Sequence, residues 1–122
     1  MRIYVSHLRR GNYEKDLYGP LLASSLVHAH TFILPHQLDQ KPFNTKELFA
    51  KNGCDLVIAE ITHPSTGQGI ELGWAHVYRI PIYSYYKKGT DVSGSALVIS
   101  TKKGEYGTTE ELIERLTIDL NS

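Results

Sequence analysis

The sequence predicts an α/β fold of the three-layer, Rossmann-like (flavodoxin-like) kind, with five parallel strands in the order 2-1-3-4-5. Three observations predict it. Short β-rich runs alternate with helically spaced stretches, five of the first and about four of the second. That alternation makes a parallel sheet with right-handed crossovers. The run Asp55 to Ile61 (DLVIAEI) is apolar almost throughout, as suits a strand covered on both faces. It passes directly into a loop of hydroxyls and glycines and then into a helical stretch, the arrangement at which open α/β sheets bind ligands.

In chain order, Met1 to Ser6 (MRIYVS) is the first and central strand. It ends in a polar loop, His7 to Asn12, which carries Arg9, Arg10 and Gly11. Tyr13 to His28 places Leu17, Leu21, Leu22, Leu26 and Val27 near helical spacing, with Pro20 as a kink or a first turn. Thr31 to Leu34 is the second strand, and Pro35 to Phe43 is a loop. Asn44 or Thr45 caps a short helix through Lys51, which Asn52-Gly53 ends. The third strand is Asp55 to Ile61 and the third helix roughly Gly67 to Tyr78. Ile80 to Tyr86 is the fourth strand, with Pro81 tolerated near its start. Lys87 to Ser95 is a loop, and Ala96 to Ser100 a short fifth strand. Thr108 or Thr109 caps a last helix whose first turn carries Glu110 and Glu111, favourable to the helix dipole.

A length of 122 residues suits one domain, 1–122, and an apolar content of 41% supports a packed core. Thirteen basic residues balance thirteen acidic ones, which argues against a nucleic-acid surface. Cys54 is the one cysteine, so no internal disulfide forms, and it reads as a small core residue. No apolar stretch approaches the roughly 20 residues that span a membrane. The first residues enter a strand with no signal-peptide pattern, so a cytoplasmic location is expected.

Chemistry is expected at the carboxyl ends of strands one and three. Tyr4, the His7 to Arg10 loop, the Ser65 to Gly69 loop and Glu71 converge there, with Glu47 entering from the side. Gly67 and Gly69 permit positive φ and close approach of the backbone to a ligand. The free N–H groups at the helix start favour an anion. Gly67-x-Gly69-x-x-x-Gly73 is one residue longer than a dinucleotide fingerprint, and no phosphate-loop motif occurs. No set of His and Cys has structural-zinc spacing, so no metal and no cofactor is expected. No nucleophile elbow is present. Carboxylate chemistry on a small anionic ligand is what survives.

The stretch Asp55 to Gly73 resembles the nucleoside 2-deoxyribosyltransferase superfamily, and within it the 2′-deoxynucleoside 5′-monophosphate N-glycosidases. Their pattern of strand "ADVVVAEV", loop "T-x-P-S-x-G-x-G" and helix "x-E-L-G-x-A" reads here as CDLVIAEI, Thr62 to Gly69, and Ile70-Glu71-Leu72-Gly73-Trp74-Ala75, without a gap. By this resemblance Glu71 matches the nucleophilic glutamate and Tyr4 the tyrosine that lines the deoxyribose site. Ser65 matches a serine that binds the 5′-phosphate; transferases of unphosphorylated nucleosides usually carry an acid there. Ser95 matches a second phosphate-binding serine supplied by the neighbouring subunit of a homodimer. Glu47 stands where the family has a catalytic aspartate, one methylene shorter. The family's first loop, G-S-I-R-G-G, is Ser6-His7-Leu8-Arg9-Arg10-Gly11 here, so either Arg9 or Arg10 is the matching arginine. His7 is a further candidate for contact with the ligand.

The reaction so implied is hydrolysis of the N-glycosidic bond of a 2′-deoxynucleoside 5′-monophosphate. A carboxylate beneath C1′ stabilises the developing oxocarbenium charge and then traps it as a glycosyl ester. The alternatives are base exchange between deoxynucleosides, and a nucleotide-binding module without turnover. Each residue also has a plainer reading: Glu71 as a first-turn complement to the dipole, Ser65 as a turn former, Tyr4 as an ordinary strand aromatic, Glu47 and Ser95 as solvated surface.

Overall fold

A computed structural model describes residues 1–8, 11–35 and 44–121. Five parallel strands form one sheet in the order β2-β1-β3-β4-β5. They are β1 (Arg2–Ser6), β2 (Thr31–Ile33), β3 (Leu56–Glu60), β4 (Ile82–Lys87) and β5 (Lys102–Tyr106). The helices are α1 (Gly19–Ala23), α2 (Thr45–Ala50), α3 (Thr66–Val77), α4 (Gly94–Val98) and α5 (Thr109–Leu120). Strand order and class agree with the sequence expectation.

Alternation along the central strands builds two cores, one on each face. Ile3 and Val5 of β1 and Leu56 and Ile58 of β3 meet Leu17, Leu21, Leu26, Leu112 and Leu116, so α1 and α5 cover that face. Tyr4, Val57, Ala59 and Ile82 meet Phe49, Leu72 and Ala75, so α2 and α3 cover the other. In register, Tyr4 stands beside Val57 and Ser6 beside Ala59.

Two expectations are corrected. The stretch expected as one helix over Tyr13 to His28 is a π-helical segment Glu14–Tyr18, then α1, then a 3-10 turn Ser25–His28. Pro20 lies in the first turn of α1, where its missing N–H has no partner to lose. Ala96 to Ser100, expected as the fifth strand, falls mostly in α4, because Ser93 caps that helix by accepting from Ala96 N–H at 3.3 Å. The true β5 (KKGEY) is polar enough to hide from a hydrophobic pattern, yet charge is what an edge strand carries.

Asn52 takes a left-handed φ of 57° to end α2. Gly53 follows because a Cβ there would stand 2.9 Å from the Leu48 carbonyl oxygen. Cys54 is buried, and burial pushes its thiol up to about 11. Among the described residues no helix is long and apolar enough to cross a membrane.

Asp55 fastens β1 to the start of β3. Its carboxylate accepts from Arg2 N–H at 2.7 Å and from the Arg2 guanidinium at 3.0 and 3.2 Å. Hydrogen bonds from the Arg2 side chain and then its backbone lower the Asp55 carboxyl to about 2, from an ordinary 3.8. A lowered folded-state value gives stability that is present above the ordinary value and lost as pH falls through the folded one. The melting-temperature advantage of wild type over Asp55→Asn, small for an exposed pair, should therefore hold steady above pH 4 and fade between about 4 and about 2. An advantage undiminished at pH 2 would contradict this assignment.

Candidate active site

The site lies where β1 and β3 run out at the carboxyl end of the sheet, under the first half of α3. Tyr4 and Ser6 share the face that α2 and α3 cover, being two residues apart on one strand. Glu71 reaches from α3 to both. Tyr4 Oη donates to Glu71 Oε2 at 2.6 Å, and Ser6 Oγ donates to Glu71 Oε1 at 2.9 Å. A third hydroxyl comes from Thr45, the first residue of α2. Its Oγ1 lies 3.1 Å from Glu71 Oε2 and 2.8 Å from Tyr4 Oη. Tyr4, Ser6 and Thr45 are buried, while Glu71 is half-buried and open to a ligand on one side. Among the described residues no cation pairs with Glu71, and the groups that orient its carboxylate are neutral hydroxyls. Burial first, and the Glu71 carboxylate second, push the Tyr4 phenol far above its ordinary value. Tyr4 therefore keeps its proton and stays a donor.

Ser65 caps α3, its hydroxyl accepting from Gln68 N–H at 3.1 Å and its carbonyl from Gly69 N–H at 3.0 Å. The N–H groups of Thr66 and Gly67 take no partner among the described residues. Together with the dipole of a twelve-residue helix they favour an anion. Gly67 and Gly69 do not use the positive φ open to them, since both lie in the right-handed first turn of α3. A Cβ at either would meet nothing within 4 Å, so their bareness leaves open space over the helix end. Ser65 and Glu71 are separated by about 9 Å along the axis at 1.5 Å per residue.

The loop is tied down from below. The buried Gln68 amide donates to the Glu60 carbonyl at 2.8 Å. The Glu60 carboxylate accepts from Thr62 N–H at 2.7 Å, from the Thr62 hydroxyl at 2.9 Å and from the Tyr106 hydroxyl. Lys87 N–H donates to Thr62 Oγ1 at 3.0 Å, joining the loop to the end of β4.

The structure brings Tyr4 and Glu71 into contact and sets Ser65, Gly67 and Gly69 on the same helix. It does not bring Glu47 to them. Asn44 caps α2 by accepting from Glu47 N–H at 3.1 Å and returns its amide to the Glu47 carboxylate at 3.0 Å. Lys51 pairs with the other carboxylate oxygen of Glu47, which lowers the Glu47 carboxyl. These reciprocal bonds with the Asn44 side chain, and the Lys51 pair, turn Glu47 back on its own helix, into solvent. His7 is also turned away from Glu71. Its ring is buried with Tyr13 and Tyr18, with Nε2 2.6 Å from Tyr18 Oη, on the face that α1 covers. Ser95 is exposed in the first turn of α4. Arg9 and Arg10 lie outside the described residues.

Ser6, Thr45 and Gln68 were not singled out from the sequence. Ser6 had a signal, since it stands two residues after Tyr4 on one strand. Thr45 had only its place beside the Asn44 cap, and nothing in the local pattern says that α2 would turn it inward.

No protein-family model matches the chain. It is 30% identical over 115 residues to the "Putative 2′-deoxynucleoside 5′-phosphate N-hydrolase 1" of Syntrophotalea carbinolica, covering 84% of this chain and 80% of that protein. Its fold is shared with a CMP N-glycosidase from Clostridium botulinum, with a TM-score of 0.68, 19% identity and coverage of 96% and 99% of the two chains. A 2-deoxyribosyltransferase from Bacillus psychrosaccharolyticus has a TM-score of 0.60 at 17% identity, with 92% and 90% covered. A conserved protein from Enterococcus faecalis has 0.65 at 12% identity, with 98% of each chain covered.

Removing the Ser65 cap as Ser65→Ala should lower unfolding stability by about 1 kcal/mol. Urea denaturation measures this, and a variant as stable as wild type would mean that the cap hydrogen bond is not formed in solution.

Proposed function

The chain belongs to the 2′-deoxynucleoside 5′-phosphate N-hydrolase family, and from that premise we propose that it hydrolyses the N-glycosidic bond of 2′-deoxynucleoside 5′-monophosphates. The products are free base and 2-deoxyribose 5-phosphate. The observation that carries this reading is the half-buried Glu71 carboxylate held by three hydroxyls, with the amino end of its own helix about two turns away. That separation suits a sugar phosphate, with C1′ over the carboxylate and the phosphate over Ser65.

In the proposed reaction Glu71 attacks C1′ as the bond to the base breaks, the base leaving with the bonding pair and taking a proton from solvent, which gives a glycosyl ester. Water then attacks C1′ and the electron pair returns to the carboxylate, with net retention. The phosphate contributes binding energy remote from the bond that breaks. Its partners are the Ser65 hydroxyl, the Thr66 and Gly67 N–H groups, and Arg9 or Arg10. A homodimer is part of the reading. Ile70 and Val77 lie exposed on one side of α3, with exposed Tyr78 at its C-cap, which suits burial against a second copy. The partner's Ser95 then completes the phosphate site. A cytoplasmic site of action belongs to the same reading. Base exchange is the alternative, because the same glycosyl ester reacts with a second base in place of water. A serine at position 65, where an acid suits an unphosphorylated nucleoside, favours the monophosphate and hydrolysis.

The test is chromatography of free base from each of the four deoxynucleoside monophosphates and the matching nucleosides. Wild type should release base from the monophosphates in preference to the nucleosides, and Glu71→Ala should lose more than about 10³-fold in kcat/KM. Absence of release from every monophosphate, with or without an acceptor base, would overturn the proposal.

A further inference from the structure

Glu71 offers two oxygens, and its neighbours treat them differently. Each carboxylate oxygen has two lone-pair directions. At Oε2 two hydroxyl oxygens stand within hydrogen-bond distance, Tyr4 Oη at 2.6 Å and Thr45 Oγ1 at 3.1 Å. At Oε1 one does, Ser6 Oγ at 2.9 Å. We propose that Thr45 is a positioning residue that, with Tyr4, fixes Oε2 as the anchored oxygen of Glu71 and leaves Oε1 as the atom that attacks C1′. The inference rests on the glycosidase reading above and adds to it the division of labour within the carboxylate.

The contacts of Thr45 also assign it to one half of the reaction. Two hydroxyl protons serve three contacts in the triangle of Tyr4 Oη, Thr45 Oγ1 and Oε2. The Tyr4 proton lies on the shortest edge, toward Oε2. The Thr45 proton has two acceptors, Oε2 itself and the Tyr4 oxygen, and in either orientation it strengthens donation to Oε2, directly or by polarising the phenol. In the glycosyl ester the C1′–Oε1 bond is formed and Oε2 is the carbonyl oxygen. When water attacks C1′ that bond breaks, its electron pair returns to the carboxylate, and the second proton of the water passes to solvent. Donors at Oε2 stabilise the departing carboxylate, so they speed breakdown of the ester. They do not help its formation, where they hold back the same charge. Thr45 fills this place in a site from which the nearby acid, Glu47, is turned away by its own helix cap.

Thr45→Val keeps the shape and removes the hydroxyl. With a deoxynucleoside monophosphate that wild type cleaves, kcat should fall about tenfold or more, the scale of one lost hydrogen bond to a charged group. KM should fall with it, leaving kcat/KM within about threefold. Intact-mass spectrometry after acid quench should show the variant carrying a 2-deoxyribose 5-phosphate adduct at a higher fraction than wild type. Thr45→Ser should restore kcat. Thermal melts check folding, and Thr45→Ala serves the same comparison if the valine variant is unfolded. Equal losses of kcat and kcat/KM without adduct would overturn the inference, as would unchanged kinetics, while wild-type turnover still supported the glycosidase reading. No turnover by wild type would instead remove that reading, and this inference with it.

Discussion

The structure of the site depends on one constraint: a carboxylate brought into a half-buried place must have its oxygens occupied by donors. Here three hydroxyls do so, two from one face of β1 and one from the start of α2. They fix the rotamer of Glu71, and through it the seating of α3 on the sheet. Tyr4 also packs its ring edge-on against Phe49, so the same residue fills the core and holds the acid. Packing and chemistry are joined at that ring.

A parallel sheet makes this economical. Every strand ends on the same side, so the loops that follow β1 and β3 are neighbours without any further device. The Glu60 carboxylate holds the Thr62 turn, Gln68 holds the first turn of α3 to the end of β3, and Ser65 caps it. The helix end is thus fixed while the Thr66 and Gly67 N–H groups take no partner among the described residues. The gap over Gly67 and Gly69 comes from missing side chains, not from unusual backbone.

What could be read in the sequence followed from how local its cause is. Strand order, both sheet faces and the Ser65–Glu71 helix were legible because periodicity and a gapless motif define them. Tyr4 near Glu71 was legible from the topology, which brings the carboxyl ends of strands one and three together. β5 was not, because a charged edge strand has no apolar signature, and the apolar ALV of α4 imitated one. Glu47 misled because a glutamate three residues after Asn44 is equally a capping residue, and the local hydrogen bonds decided its direction. Thr45 depends on how α2 packs across Tyr4, a tertiary fact with no local trace.

The most direct test of a carboxylate nucleophile is stereochemical. Turnover of a cleaved deoxynucleoside monophosphate in aqueous methanol yields a methyl 2-deoxyriboside 5-phosphate whose anomeric configuration is fixed once formed and is read by NMR. Two successive displacements through Glu71 predict the β-anomer, the configuration of the substrate. The α-anomer would mean that methanol attacks the nucleotide directly, and that Glu71 does not form the bond assigned to it.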